Sequence, residues 1–259
     1  VTDPFSVEDR GPVRILTIDR PGAKNAIPRS GWRMLTGHLR DFEDSPARVL
    51  VVTGAGSDFC SGADLAVDVP DDPSAAENAA HMRNVGEAAV TLHRLTKPTI
   101  AAVDGVAIGA GMNLALGCDI VIATERARFA EIFVRRGLTV DFGGSWLLPR
   151  LVGLARAREL ALTGRIVEAA EAHAIGLVTW VVAPRDLEGV VMRTAEALVA
   201  AAPLAQRFAK MALDRSPTLT FEQAIEMEDQ AQAVLLASQD FREAVAAFAE
   251  KRPPEFRGT

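Results

Sequence analysis

Apolar and polar positions alternate through VRILTID at residues 13 to 19, where β-branched side chains are frequent, and this predicts a strand ended by the Pro21-Gly22 turn. From Arg29 to Phe42 the period lengthens, with Trp32, Leu35, Leu39 and Phe42 at helical spacing, and VLVVTGAG from Val49 reads as a buried strand running into a glycine turn. The alternation returns at PTIAAVDGVAIGAG from Pro98 and at CDIVIAT from Cys118, so short strands separated by helical segments predict a layered α/β fold. The stretch from Val67 to Ala79, rich in Asp, Pro and Ala and with weak periodicity, predicts a mobile surface loop. Strand signals end at Leu187, and the rest of the chain is helical and Ala-rich, interrupted at Pro203 and stopped at Pro253-Pro254. The expected division is a core over 1–195 and a helical region over 196–259.

Composition narrows this picture. A chain of 259 residues, 49% hydrophobic, is long enough for one large core, and with 5% aromatic residues and no Tyr that core must rest on Ala, Val, Leu and Ile. The net charge of -6 argues against nucleic acid, which is held mainly by excess Lys and Arg. Cys60 and Cys118 fit neither a disulfide framework nor a zinc pattern, which implies a reduced, cytoplasmic setting. Asp3, Glu8, Asp9 and Arg10 replace the basic-then-apolar pattern of a leader, and no apolar run approaches the roughly 20 residues of a membrane span, so no membrane partner is expected.

Two glycine-rich turns follow predicted strands, GAGSDFCSGADL from Gly54 and GVAIGAGMNLALGCD from Gly105. The second lacks the third glycine of a dinucleotide fingerprint. Gly111 to Leu116 reads as a helix start, where free N–H groups favour an anion or oxyanion; the alternative is that these glycines serve close strand–helix packing. His38, His81, His93 and His173 have neither metal-ligand nor triad spacing, so no metal is expected. The two cysteines read as small core residues. Arg126, Arg128, Arg135 and Arg136 form a positive cluster that suits a solvated face, a phosphate or a subunit contact.

Five segments in order, RPGAKNAI, SGADL, GAGMNLALGCDIVIA, GLTVDFGGSWLLPRLVG and FAEKRPPEF, make the chain resemble the enoyl-CoA hydratase/isomerase (crotonase) superfamily along nearly its whole length, closest to the branch resembling phenylacetate-pathway isomerases. The resemblance implies a crotonase-like (ClpP/crotonase) spiral of ββα units with a helical C-terminal trimerisation region. It implies an acyl-CoA thioester substrate, no prosthetic group, and a homotrimer or homohexamer. It also implies that the thioester carbonyl lies between the backbone N–H groups of Ala63 and Ala110. The chemistry needs such donors: against a carboxylate near pKa 4, a thioester α-proton is weaker by roughly ten units, on the order of 14 kcal/mol. Each oxyanion-hole donor supplies about 3 kcal/mol towards that gap.

Hydratases of this family carry glutamates where this chain has Asn113 and Phe133, neither of which moves a proton. Asp141, in GLTVDFGGSW, matches the catalytic aspartate of the isomerase-like branch, and an apolar setting from Leu138, Phe142 or Trp146 would raise its pKa. Its alternative role is to cap the helix opened by Gly143-Gly144-Ser145. Glu131 is the second candidate acid/base, against a solvated role or an ion pair with Arg135. For CoA, the resemblance points to Ala23, Lys24 and Ala63, and to Lys251 for the nucleotide 3′-phosphate, although both lysines also suit an ordinary surface. The expected activity is a double-bond shift in an enoyl-CoA. Hydration of a 2-enoyl-CoA is the alternative, and a non-catalytic acyl-CoA-binding protein is the alternative of another class.

Overall fold

A computed structural model describes residues 2–67, 70 and 72–259. The strands are β1 (Phe5–Arg10), β2 (Val13–Ile18), β3 (Val49–Gly54), β4 (Thr99–Val103), β5 (Val106–Ile108), β6 (Ile120–Thr124), β7 (Arg128–Ala130), β8 (Val167–Glu168) and β9 (Trp180–Val182). The helices are α1 (Gly31–Asp44), α2 (Ala75–His93), α3 (Ala110–Leu116), α4 (Gly144–Val152), α5 (Leu154–Thr163), α6 (Ala169–Ala174), α7 (Leu187–Ala200), α8 (Pro203–Arg215), α9 (Phe221–Leu236) and α10 (Gln239–Glu250).

Six strands form one sheet in the order β1-β2-β3-β4-β6-β9, antiparallel at the β1–β2 hairpin and parallel thereafter, and β5, β7 and β8 form a second, smaller sheet. Each turn of chain lays one strand on the large sheet and, from β4 onward, another on the small one, which is the spiral of ββα units. The central strands read as continuous apolar runs because both faces are covered. Leu50, Val52, Ala101, Val103, Val121 and Ala123 face a core shared with Trp32, Leu35, Leu39 and Phe42 of α1. Their neighbours Val49, Val51, Ile100, Ala102 and Ile122 face Val191 and Ala195 of α7. Each fully buried side chain of this size stabilises the fold by about 1.5–3 kcal/mol relative to exposure.

The structure adds to the sequence reading, or differs from it, at three places. Strand β1 carried no alternation to read, because every residue after Phe5 is exposed and the strand is held through its backbone pairing with β2. The expected loop is shorter than Val67 to Ala79: Ser74 and Glu77 form a reciprocal capping box that starts α2 at Ala75, while Asp68, Val69 and Asp71 lie outside the described residues. The division between residues 195 and 196 falls inside α7, which is part of the core. Helices α8 and α9 have no buried residue and leave Leu213, Phe221 and Leu236 exposed. Among the described residues no helix is long and apolar enough to cross a membrane.

Candidate active site

The two glycine-rich turns meet. Cys60 bridges Ala107 in parallel register: its N–H donates to the Val106 carbonyl at 2.9 Å, and its carbonyl accepts from Ile108 at 2.9 Å. Ala63 bridges Ile27 in the same way, with the Ile27 N–H on the Gly62 carbonyl and the Asp64 N–H on the Ile27 carbonyl, both at 2.8 Å. In a parallel bridge of this phase the N–H of Ala63 itself points away from Ile27. Gly62 has φ +97°, and a Cβ placed on it would stand 2.8 Å from the Ile108 carbonyl oxygen and 3.7 Å from the Ala110 nitrogen. The loop leading to Ala63 therefore passes directly over the start of α3. Gly111 makes the approach possible from the other side, since a Cβ there would lie 2.3 Å from the Cys60 oxygen. Ala110 follows the helix cap Gly109, so its N–H has no acceptor one turn back within α3. Two small residues thus present backbone donors on adjoining edges, Ala63 exposed and Ala110 buried.

Asn25 fixes this layout and drew no notice in the sequence. Fully buried and left-handed (φ 57°), it accepts from the Arg20 N–H at 2.9 Å and donates to the carbonyls of Ala55 and Asp58. It ties the turn after β2 to the loop after β3. The signal was the NAI sequence after a Pro-Gly turn, because Asn tolerates a positive φ and can bond backbone on both sides.

One turn into α3, the buried Asn113 donates from Nδ2 to the Asp141 carbonyl at 3.0 Å and to Glu131 Oε2 at 3.3 Å. Three residues far apart in sequence thus meet beside the two N–H groups. Burial pushes the Asp141 carboxyl up to about 6, and its Oδ1 has no hydrogen-bond partner. Burial, reinforced by the negative charge of Asp141, pushes Glu131 up to about 8 against the opposing bond from Asn113. Glu131 is only 1% exposed. The expected ion pair with Arg135 does not form, because that guanidinium turns outward to the Thr163 carbonyl at 2.9 Å. Asp141 is not a cap either: Gly143 occupies the N-cap of α4 and makes no side-chain bond. Of its expected apolar neighbours, Phe142 is buried against Trp32 with ring centroids 5.4 Å apart. Leu138 is exposed, and Trp146 packs on His93 and under the Arg150 guanidinium.

The candidate CoA residues divide into two places. Ala23 accepts from the Ser61 hydroxyl at 3.3 Å, and the carbonyl of Lys24, itself exposed and left-handed at φ 49°, accepts from the Ser61 N–H at 3.0 Å; both therefore border the loop that carries Ala63. Lys251 sits at the end of α10, left-handed and exposed, and no bond joins it to that loop among the described residues. The arginine cluster disperses: Arg126 pairs with Asp104, Arg128 with Glu168, and Arg135 bonds the Thr163 carbonyl. Both cysteines are free and buried, and burial pushes each thiol up to about 12, so neither is a nucleophile.

Two sheets wound as a spiral, with two glycine-rich turns meeting over the start of α3, define the fold of one enzyme family. The chain belongs to the enoyl-CoA hydratase/isomerase family, whose family model matches residues 8–259. It is 38% identical over 250 residues to the 1,2-epoxyphenylacetyl-CoA isomerase of Escherichia coli strain K12, covering 95% of each chain. It is 35% identical to the short-chain-enoyl-CoA hydratase of Clostridium acetobutylicum, over 96% of this chain and 95% of the other. Among solved structures, the enoyl-CoA hydratase of Bacillus anthracis superposes with a TM-score of 0.94 at 31% identity, covering 99% of this chain and 100% of that one.

Proposed function

We propose that the chain is an enoyl-CoA isomerase in which Asp141 carries a proton between two carbons of the acyl group. The observation that carries this reading is the buried carboxyl of Asp141, with an unpartnered oxygen, on a residue whose backbone carbonyl accepts from Asn113, one turn into the helix that begins at Ala110. The thioester carbonyl of a 3-enoyl-CoA accepts from the N–H groups of Ala63 and Ala110. Asp141 takes the α-proton, the electron pair delocalises onto the thioester oxygen and over the double bond, and the protonated Asp141 returns the proton at the γ-carbon. The product is the conjugated 2-enoyl-CoA. A base lifted from 3.8 to about 6 narrows the acidity gap by about 3 kcal/mol at 1.36 kcal/mol per pH unit. Preorganised N–H donors supply the rest in a site from which water is excluded.

Ala23, Lys24 and Ala63 line the entrance for the CoA moiety, and Lys251 is assigned to its 3′-phosphate, contributed by a neighbouring subunit. The helical region over 196–259 forms the trimerisation region of a homotrimer or homohexamer, supported by Phe248 at 88% and Phe221 at 77% exposure, which need cover. The two buried free thiols suit a reducing, cytoplasmic compartment.

A second reading, hydration of a 2-enoyl-CoA, is favoured by one observation: Glu131 is a second buried carboxyl one amide away from Asp141. A paired assay separates the two. A rise in conjugated enoyl-thioester absorbance with a 3-enoyl-CoA and no loss with a 2-enoyl-CoA is the result expected of an isomerase. Loss with the second substrate would mean that water is being added.

A further inference from the structure

Six buried side-chain nitrogen or oxygen atoms have no hydrogen-bond partner among the described residues, and three of them belong to one cluster: Asn113 Oδ1, Glu131 Oε1 and Asp141 Oδ1. Unpartnered buried polar atoms are costly, so three on residues joined through the Asn113 amide call for a common explanation. Asp141 keeps its oxygen free for chemistry under the reading above. The other two have a simpler account.

The orientation of the Asn113 amide is fixed from outside. Its Nδ2 donates to the Asp141 carbonyl, which can only accept, so Oδ1 lies on the opposite side of the amide. The side chain cannot swing away, because the backbone of Gly144 is packed so closely against it that a Cβ on Gly144 would fall within 2.3–2.6 Å of all three terminal amide atoms. The second Nδ2 hydrogen goes to Glu131 Oε2. If Glu131 were a carboxylate, the remaining oxygens of the amide and the carboxyl would be two acceptors with no donor. A single proton on Oε1 satisfies both and closes a ring of two hydrogen bonds.

We propose that Glu131 is carried as a neutral carboxylic acid paired head to head with the Asn113 amide, and that this pair is the positioning device that holds the backbone of Asp141. The inference rests on the assignment of Asp141 as the proton carrier. Glu131 acts through Asn113, and its neutrality keeps a second negative charge away from the Asp141 carboxylate. Among the described residues the surrounding elements bring no cation to stabilise the ionised form. Helix α3 contributes only Asn113, and the segment before α4 contributes Asp141. Arg135 faces the Thr163 carbonyl, Arg128 pairs with Glu168, and near α5 Arg156 and Arg165 pair with Glu171 and Glu159. Burial accordingly raises the carboxyl towards its neutral form.

The test uses the full-length enzyme. Infrared spectra at pH 7 are expected to show the carbonyl band of a neutral carboxylic acid that is missing in Glu131→Gln and fades in the parent as pH passes about 8. With a 3-enoyl-CoA, Glu131→Leu is expected to lower kcat by about tenfold or more with KM within about twofold, as misplacement of a general base does. Glu131→Gln, whose amide reproduces the ring, is expected to restore most of that loss and to abolish the alkaline fall in activity. Melting curves of both variants establish that they are folded. Absence of the band at pH 7 overturns the proposal. So does a folded Glu131→Gln that is as slow as Glu131→Leu, since Glu131 would then be moving the proton itself. If the band is present and no enoyl-CoA is turned over, the neutral pair stands and the isomerase reading fails.

Discussion

A carboxylate held in a buried site should weaken the fold that holds it, and Asp141→Asn measures by how much. Its carboxyl titrates at the ordinary 3.8 in the unfolded chain and at about 6 in the fold. The folded protein therefore binds this proton more tightly than the unfolded one does, and stability falls as pH rises from 3.8 to 6, then stays level. At pH 8 the full difference applies, about 3 kcal/mol at 1.36 kcal/mol per pH unit; at pH 5, with most of the folded carboxyl still protonated, it is about 1.5 kcal/mol. Asn cannot ionise and so escapes this cost. The variant should be at least as stable to denaturant as the parent throughout the range above pH 5, with an advantage that roughly doubles between pH 5 and pH 8. Guanidinium unfolding at both pH values, at one protein concentration because assembly adds its own dependence, supplies the numbers. Turnover of a 3-enoyl-CoA should meanwhile fall by about a thousandfold or more, with CoA-ester affinity retained, since the general base is gone while the backbone donors remain. An Asn variant that is no more stable at pH 8 than at pH 5 relative to the parent would refute the burial argument. Undiminished turnover would remove Asp141 from the chemistry.

The same carboxyl sets the acid side of the activity profile: kcat/KM should be half-maximal near pH 6 and about a tenth of its plateau one pH unit lower, and an acid limb centred near pH 4 would mean that the base is exposed. Gly111→Ala puts a methyl group 2.3 Å from the Cys60 oxygen, which must push the loop carrying Ala63 off α3. A loss of about a hundredfold in kcat is expected from the displaced donor, and a folded, fully active variant would show that the close approach does not set the donor geometry. Phe248→Asp, at a side chain 88% exposed on α10, should shift the mass measured by light scattering from a trimer or hexamer towards a monomer. Unchanged mass would show that this face does not join subunits.

The two stretches of the chain that the proposed mechanism uses were legible for different reasons. SGADL and GAGM stood out because backbone must come close to backbone there, and only glycine permits it; Gly62 and Gly111 are spaced by that requirement, which is local and leaves a mark on the sequence. Asp141 was legible through its motif, but its state was not. The helix-cap role, the apolar neighbours Leu138 and Trp146, and the Arg135 partner for Glu131 were all inferred from nearness in sequence, and the fold replaced each of them.

What the sequence determined by itself was the alternation of strands β2, β3, β4 and β6 with helical segments, the buried stripe of α1, and the positions where side chains had to be absent. Periodicity and glycine placement are properties of a single segment, so one segment suffices to read them. What only the tertiary structure decided was which polar groups share an environment. Asn113, Glu131 and Asp141 lie on three segments whose meeting depends on how α3 packs beneath the loop before α4. Burial there raises both carboxyls because water is excluded by residues from the whole spiral, a cause that no single segment contains.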